Sequence, residues 1–206
     1  MPMLTLYHAP QTRSSRIVWL LEELGAPYEI VYTDIIRSSG GTPDPKNPHP
    51  DKKVPALVHD GILITESAAI VLYLTDLFPE ADIGPRIGET NRGPYLTWLS
   101  YYAGVIEPVV AFQFAGLADN AGLARTFRGR EEFHQRILDA LDKGSYLLGE
   151  KFSGADILLA SLGIWVRDML PRTEAMDAYL ERCLSRPALA AAGTRDAVPI
   201  TRDSRG

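Results

Sequence analysis

The chain has 206 residues, 46% of them hydrophobic and 23% charged, and carries a formal net charge of -5. That balance is ordinary for a soluble globule, argues against disorder or a fibrous repeat, and leaves no global positive field to attract nucleic acid or an anionic membrane. Cys183 is the single cysteine, so an internal disulfide and a multi-cysteine metal cluster are both excluded.

The first residues, Met1 to Tyr7, form neither a basic nor a sufficiently apolar leader, and a reducing cytoplasm is the expected compartment. Residues 4–7 read as a strand broken at Pro10. Residues 14–24 read as a helix, with Ile17, Leu20, Leu21 and Leu24 as its apolar stripe and Gly25 and Pro27 ending it. Residues 28–32 give a second strand. Residues 34–53, rich in Gly, Pro and charge, predict a mobile loop with room for one short helix. Residues 54–58 and 62–64 flank His59-Asp60-Gly61 as a hairpin, and 67–77 predict a helix stopped before Pro79.

Beyond a polar connection, alternation disappears and helical spacing takes over. Trp98, Tyr101, Tyr102 and Val105 line one long helix that Gly104 and Pro108 bend or divide; Phe127, Phe133, Ile137, Leu138 and Leu141 suggest another. Ser153-Gly154-Ala155-Asp156 has capping-box spacing, in which Ser153 accepts from the Asp156 amide and the Asp156 carboxylate returns to the Ser153 amide. The uncharged run 157–166 is too short to cross a bilayer and fits a buried helix. Cys183 shares helical spacing with Tyr179, Leu180 and Leu184, which suits packing. The expected organisation is an α/β domain over 1–80, a linker over 81–88 and an all-α domain over 89–206.

His8, His49, His59 and His134 are scattered, with no HExxH spacing, so no metal is expected; GxGxxG, GxSxG and Walker A patterns are absent too. Three hydroxyls, Thr12, Ser14 and Ser15, precede or open the first helix, where an O–H donor and the positive helix end can stabilise a thiolate. No cysteine stands there, which argues against disulfide exchange.

The run Lys53-Val54-Pro55-Ala56-Leu57 followed by Glu66-Ser67-Ala68-Ala69-Ile70-Val71-Leu72-Tyr73-Leu74 resembles the thioredoxin-like half of glutathione transferases. Tyr7-His8-Ala9-Pro10-Gln11-Thr12-Arg13-Ser14-Ser15-Arg16 looks like the active-site opening of bacterial serine- or threonine-type members, and Phe152-Ser153-Gly154-Ala155-Asp156 looks like their second-domain capping motif. The resemblance implies a thioredoxin-like first domain and glutathione as cosubstrate. It implies a cis Pro55 ahead of an edge strand, with the Val54 amide and carbonyl receiving the peptide backbone. It further implies Ser67 holding the γ-glutamyl carboxylate, Glu66 facing the ammonium, and Lys53 approaching the glycyl carboxylate, with Lys52 as its alternative.

The family's hydroxyl position falls nearest Thr12; Ser14 and then Ser15 are the alternatives, with Tyr7, Arg13 or backbone amides behind them. Arg13 and Arg16 read as exposed or salt-bridged. A small hydrophobic electrophile beside Trp98, Tyr101, Tyr102, Phe112 or Phe114 completes the implied reaction, and a homodimer is implied with it. A glutathione-dependent peroxidase and a glutathione-binding protein without fast transfer chemistry are the alternatives.

Overall fold

Every second side chain of β1 (Leu4–His8) is buried, Leu4, Leu6 and His8 facing inward, as a strand covered on one face requires. This computed structural model describes residues 3–37 and 40–197. From β1 the chain enters α1 (Ser15–Glu23), which buries Ile17 through Leu21, and returns in β2 (Tyr28–Tyr32), parallel to β1. Arg16 is buried with them, so of the two expectations for it exposure does not hold. β3 (Ala56–His59) and β4 (Ile62–Thr65) form a hairpin whose two turn residues, Asp60 and Gly61, both have positive φ, 48° and 85°, the backbone such two-residue turns need. α2 (Ser67–Leu77) follows with the expected bounds.

The sheet order is β2-β1-β3-β4. β3 is therefore an interior strand, antiparallel to β1 on one side and β4 on the other, and not the edge strand that the resemblance implies. The hairpin is the reason, because it folds β4 back onto β3 and takes the edge itself.

No helix forms in the described part of residues 34–53. Backbone and side-chain hydrogen bonds fasten that segment instead: the Asp44 backbone amide donates to the Asp34 carbonyl at 3.0 Å, and the side chain of buried Asn47 donates to the Lys53 carbonyl at 3.0 Å. Lys52 donates to the carbonyls of Asn47 and Pro45 at 2.6 and 3.2 Å, so its ammonium serves the loop.

The second unit is helical. α3 (Arg92–Tyr101) runs through a π-helical turn, Tyr102–Ile106, into α4 (Glu107–Phe114) without a break. Pro108 has no amide for the Gly104 carbonyl and its ring crowds that oxygen, and the widened turn absorbs the defect. α5 (Ala121–Phe127) and α6 (Arg130–Leu141) are separate helices, divided at Arg128 and Gly129. α7 (Gly154–Val166) is buried over most of its length, and no helix among the described residues is long and apolar enough to cross a membrane. α8 (Glu174–Leu184) turns Met176, Tyr179, Leu180 and Cys183 inward, and burial pushes the Cys183 thiol well up, which fits packing and not reactivity. α9 (Pro187–Asp196) ends the described chain.

The start of α7 differs from the simple reciprocal box. Asp156 Oδ2 accepts from the Ser153 amide at 2.8 Å as expected, but the Ser153 hydroxyl also donates to that carboxylate at 2.8 Å, and the Asp156 amide goes to the Ser153 carbonyl. Asp156 Oδ1 takes the Leu147 amide at 3.0 Å and the Tyr179 hydroxyl at 3.1 Å. Full burial nevertheless raises this carboxyl to about 6.

By contact the described chain divides into one unit running to Leu74 and taking in α9, and another from Thr75 to Arg186. Both boundaries differ from the 1–80, 81–88 and 89–206 division. The Thr75 hydroxyl bonds to that of Tyr95 at 3.0 Å, and a Cβ on Gly84 would lie 2.5 Å from Thr75 Cβ, so the supposed linker is packed structure. Ile83 is buried there and its carbonyl accepts from the Gly154 amide at 2.8 Å. α9 belongs to the first unit because it packs on α1.

Candidate functional site

The strand registers bring the predicted residues to one end of the first unit's sheet. Tyr7 pairs with Ala56 and Ala56 with Thr65, so the last residues of β1, the first of β3 and the last of β4 lie side by side. The loop carrying Thr12 and Ser14 leaves β1 at that end, Val54 and Pro55 enter β3 there, and Glu66 and Ser67 leave β4 there. Two helix N-termini, those of α1 and α2, follow directly, and their first-turn amides lie beyond any intrahelical acceptor.

Each predicted residue has a definite place. The Val54–Pro55 peptide is cis. Pro55 is buried and Val54 half-buried, and the cross-strand ladders begin only at Ala56, which leaves Val54 outside them. Lys53 is exposed, while Lys52 is spent on the loop. Glu66 is exposed, has φ 68°, and gives its carbonyl to the Ile70 amide at 2.9 Å; half-buried Ser67 opens α2. Tyr7 is half-buried within β1, on the face opposite to Leu6 and His8.

The hydroxyls separate by burial. Ser14 is fully buried, with Oγ 2.7 Å from His8 Nδ1 and 2.8 Å from Thr12 Oγ1. Thr12 is half-buried and donates to the Ala9 carbonyl at 2.7 Å. Ser15 donates to Asp196 at 2.5 Å. Of the three, Thr12 alone combines partial exposure with a proton resting on a neutral carbonyl, an acceptor that an anion outcompetes. Arg13 is exposed beside it.

Sequence reasoning missed His8 and Asp196 in this cluster. His8 carried a usable signal, since it continues the inward alternation of Leu4 and Leu6. Asp196, remote in sequence, carried none. In the second unit, Trp98 and Tyr102 are core residues, while Phe114 is 68% exposed and Phe112 stacks edge-on with Phe127 at 5.1 Å. Tyr101 lies under the Arg136 guanidinium, 4.0 Å from its ring centre. Among the described residues no group of three or more His, Cys, Asp or Glu is arranged to hold a metal ion.

Residues 2–76 match the model of the family described as glutathione S-transferase, N-terminal domain. Over those residues the chain is similar to that family. Glutathione S-transferase GstA of Escherichia coli O157:H7 is 26% identical over 199 residues, 92% of this chain and 99% of that protein. Glutathione S-transferase 3 of Schizosaccharomyces pombe is 29% identical over 174 residues, 75% of this chain and 70% of that one. A sphingomonad glutathione S-transferase solved in complex with glutathione has a TM-score of 0.76 at 28% identity, covering 95% of this chain and all (100%) of that chain. The glutathione S-transferase fold thus extends through the chain, a thioredoxin-like N-terminal domain followed by an all-α C-terminal one.

Proposed function

We propose that the protein is a glutathione transferase of the serine/threonine type, which binds glutathione at this end of the sheet and directs its thiolate onto a small hydrophobic electrophile. The observation that carries the reading is the register: Tyr7, Ala56 and Thr65 in one row bring the Thr12 loop, the Val54 backbone and the Ser67 helix start to one place. Each group suits one part of the tripeptide. The Val54 amide and carbonyl, which lie outside the cross-strand ladders of the described residues, match an extended peptide backbone. The amide and hydroxyl of Ser67 at the head of α2 suit the γ-glutamyl carboxylate, the Glu66 carboxylate suits the ammonium, and exposed Lys53 suits the glycyl carboxylate. The Thr12 hydroxyl turns its proton from the Ala9 carbonyl to the sulfur and favours the thiolate, the thiol proton passing to solvent; the sulfur then bonds to the electrophilic carbon while a leaving group departs with the bonding pair or, in an activated alkene, the π pair shifts away and is protonated.

A second reading, a glutathione-binding protein with little transfer activity, is favoured by the Thr12 and Ser14 hydroxyls being bonded within their own loop. Calorimetric titration with glutathione and turnover on a panel of aryl halides, epoxides, activated alkenes and organic peroxides separate the readings. Saturable binding with turnover supports the transferase, peroxide turnover alone the peroxidase, and binding without turnover the second reading. Absence of binding defeats all three. Ser67→Ala should weaken glutathione binding about tenfold, the loss of roughly one hydrogen bond to a charged group. A homodimer belongs to the same proposal, and native mass of twice the chain is its check.

A further inference from the structure

One polar cluster of the first unit joins distant parts of the sequence. Asp196 closes α9, and its Oδ1 accepts from the Gln11 amide at 3.1 Å and the Ser15 hydroxyl at 2.5 Å. The same oxygen lies 3.3 Å from Nε2 of His8, within ion-pair range but outside hydrogen-bond geometry; the ring is wholly buried, and that nitrogen has no hydrogen-bond partner among the described residues, so Asp196 is the acceptor nearest to it. On the far side of the ring, Nδ1 is 2.7 Å from Ser14 Oγ, which is 2.8 Å from Thr12 Oγ1. A side chain at the far end of the sequence thus reaches Thr12 through two fully buried groups.

Donor and acceptor capacity gives this series a direction. A carboxylate only accepts, so the ring nitrogen facing it carries the proton, and in a neutral imidazole Nδ1 is then an acceptor. Ser14 donates to Nδ1 and has no second proton for Thr12 or Ala9. Thr12 keeps its own proton as a donor, to the Ala9 carbonyl, to Ser14 Oγ or to an anion that replaces them. Burial pulls the Asp196 carboxyl upward, but His8, Ser15 and the Gln11 amide outweigh it and hold the group below its ordinary value, so it is ionised at neutral pH.

We propose that Asp196 is a positioning residue of the Thr12 loop, clamping Gln11 and Ser15 directly and fixing the Thr12 hydroxyl as a donor through His8 and Ser14. The second half of this inference rests on Thr12 being the sulfur donor; the first half does not. Without the carboxylate, the ring proton of His8 is free to move to Nδ1, Ser14 turns round to donate toward Thr12, and Thr12 Oγ1 becomes an acceptor in that pair.

Asp196→Ala and Asp196→Asn, compared with wild type, test both halves. Hydrogen exchange at the Gln11 amide should accelerate about tenfold or more in Asp196→Ala and stay near wild type in Asp196→Asn, whose amide oxygen still accepts. Both variants should lower kcat about tenfold with KM for glutathione changed less than about threefold, and both should move the ultraviolet thiolate signal of bound glutathione to higher pH. Wild-type Gln11 exchange in Asp196→Ala overturns the clamp, and a wild-type thiolate titration in both variants overturns the relay. If wild type itself binds no glutathione, the functional reading and the relay fall together, while Gln11 exchange still decides the clamp.

Discussion

Thr12 and Ser14 stand two residues apart in one loop and have different fates, because the loop curls over the inner face of β1 and takes Ser14 in against His8. A sulfur atom has no route to a hydroxyl with no exposed surface, whereas Thr12 is half-buried. Thr12→Ala should therefore lower kcat by roughly 100-fold, the scale of removing one donor from a developing or bound anion, with little loss of glutathione affinity. Thr12→Ser should restore most of it. Ser14→Ala should act differently, leaving His8 Nδ1 without a partner and costing about 1–3 kcal/mol of stability. Steady-state kinetics with thermal unfolding of the three variants checks this; a Ser14→Ala enzyme with wild-type stability and the larger kcat loss would reverse the assignment. The three hydroxyls were legible in the sequence but not their burial, since a loop has no period from which facing can be read. His8 was legible in principle, through the inward alternation of Leu4 and Leu6.

At the scale of elements, boundaries with local punctuation were readable and those set by distant partners were not. β2 and α2 have the expected bounds because Pro27 and Pro79 delimit them, while β3 starts at Ala56 and not at Val54 because its ladders to β1 and β4 begin there, opposite Tyr7 and Thr65. The capping motif of α7 was readable from spacing alone, but the second pair of donors on Asp156, from Leu147 and Tyr179, came from packing. That packing has a pH consequence. With its carboxyl raised from 3.8 to about 6, the folded chain binds a proton between those values that the unfolded chain has released. Stability from this group is thus highest below the lower value, declines as pH rises through the window, and is level above it, with a total of up to about 3 kcal/mol. Asp156→Asn should flatten that slope in urea unfolding from about pH 4 to about pH 7, and Asp156→Ala should flatten it too while lying about 3 kcal/mol below Asp156→Asn at every pH, because it strands the Leu147 and Ser153 amides. An unchanged slope in Asp156→Asn would mean that the carboxylate is not what titrates.

For the whole molecule, the β-α-β-β-α order followed by helices was legible because it depends on local pattern, and the placement of α9 was not. That helix is short and rich in alanine; it buries Ala192 and half-buries Ala188 and Leu189, so it shows no large apolar stripe by which a partner could be inferred. Small side chains let it lie close on α1, and polar contacts near its end hold it there: Arg195 pairs with Glu22 at 3.1 Å, and the Tyr32 hydroxyl donates to the Arg195 carbonyl at 3.0 Å. The first unit is therefore completed by α9, the last helix among the described residues. A chain ending at Arg186 should lose roughly 3 kcal/mol of first-unit stability, the sum of about one buried leucine and a few hydrogen bonds. Hydrogen exchange locates the loss: the amides of α1 should exchange faster in the shortened chain, while those of α7, in the other unit, keep their protection. Equal protection of α1 in both chains would show that α9 only rests on the first unit, and faster exchange in α7 as well would show that the two units unfold as one.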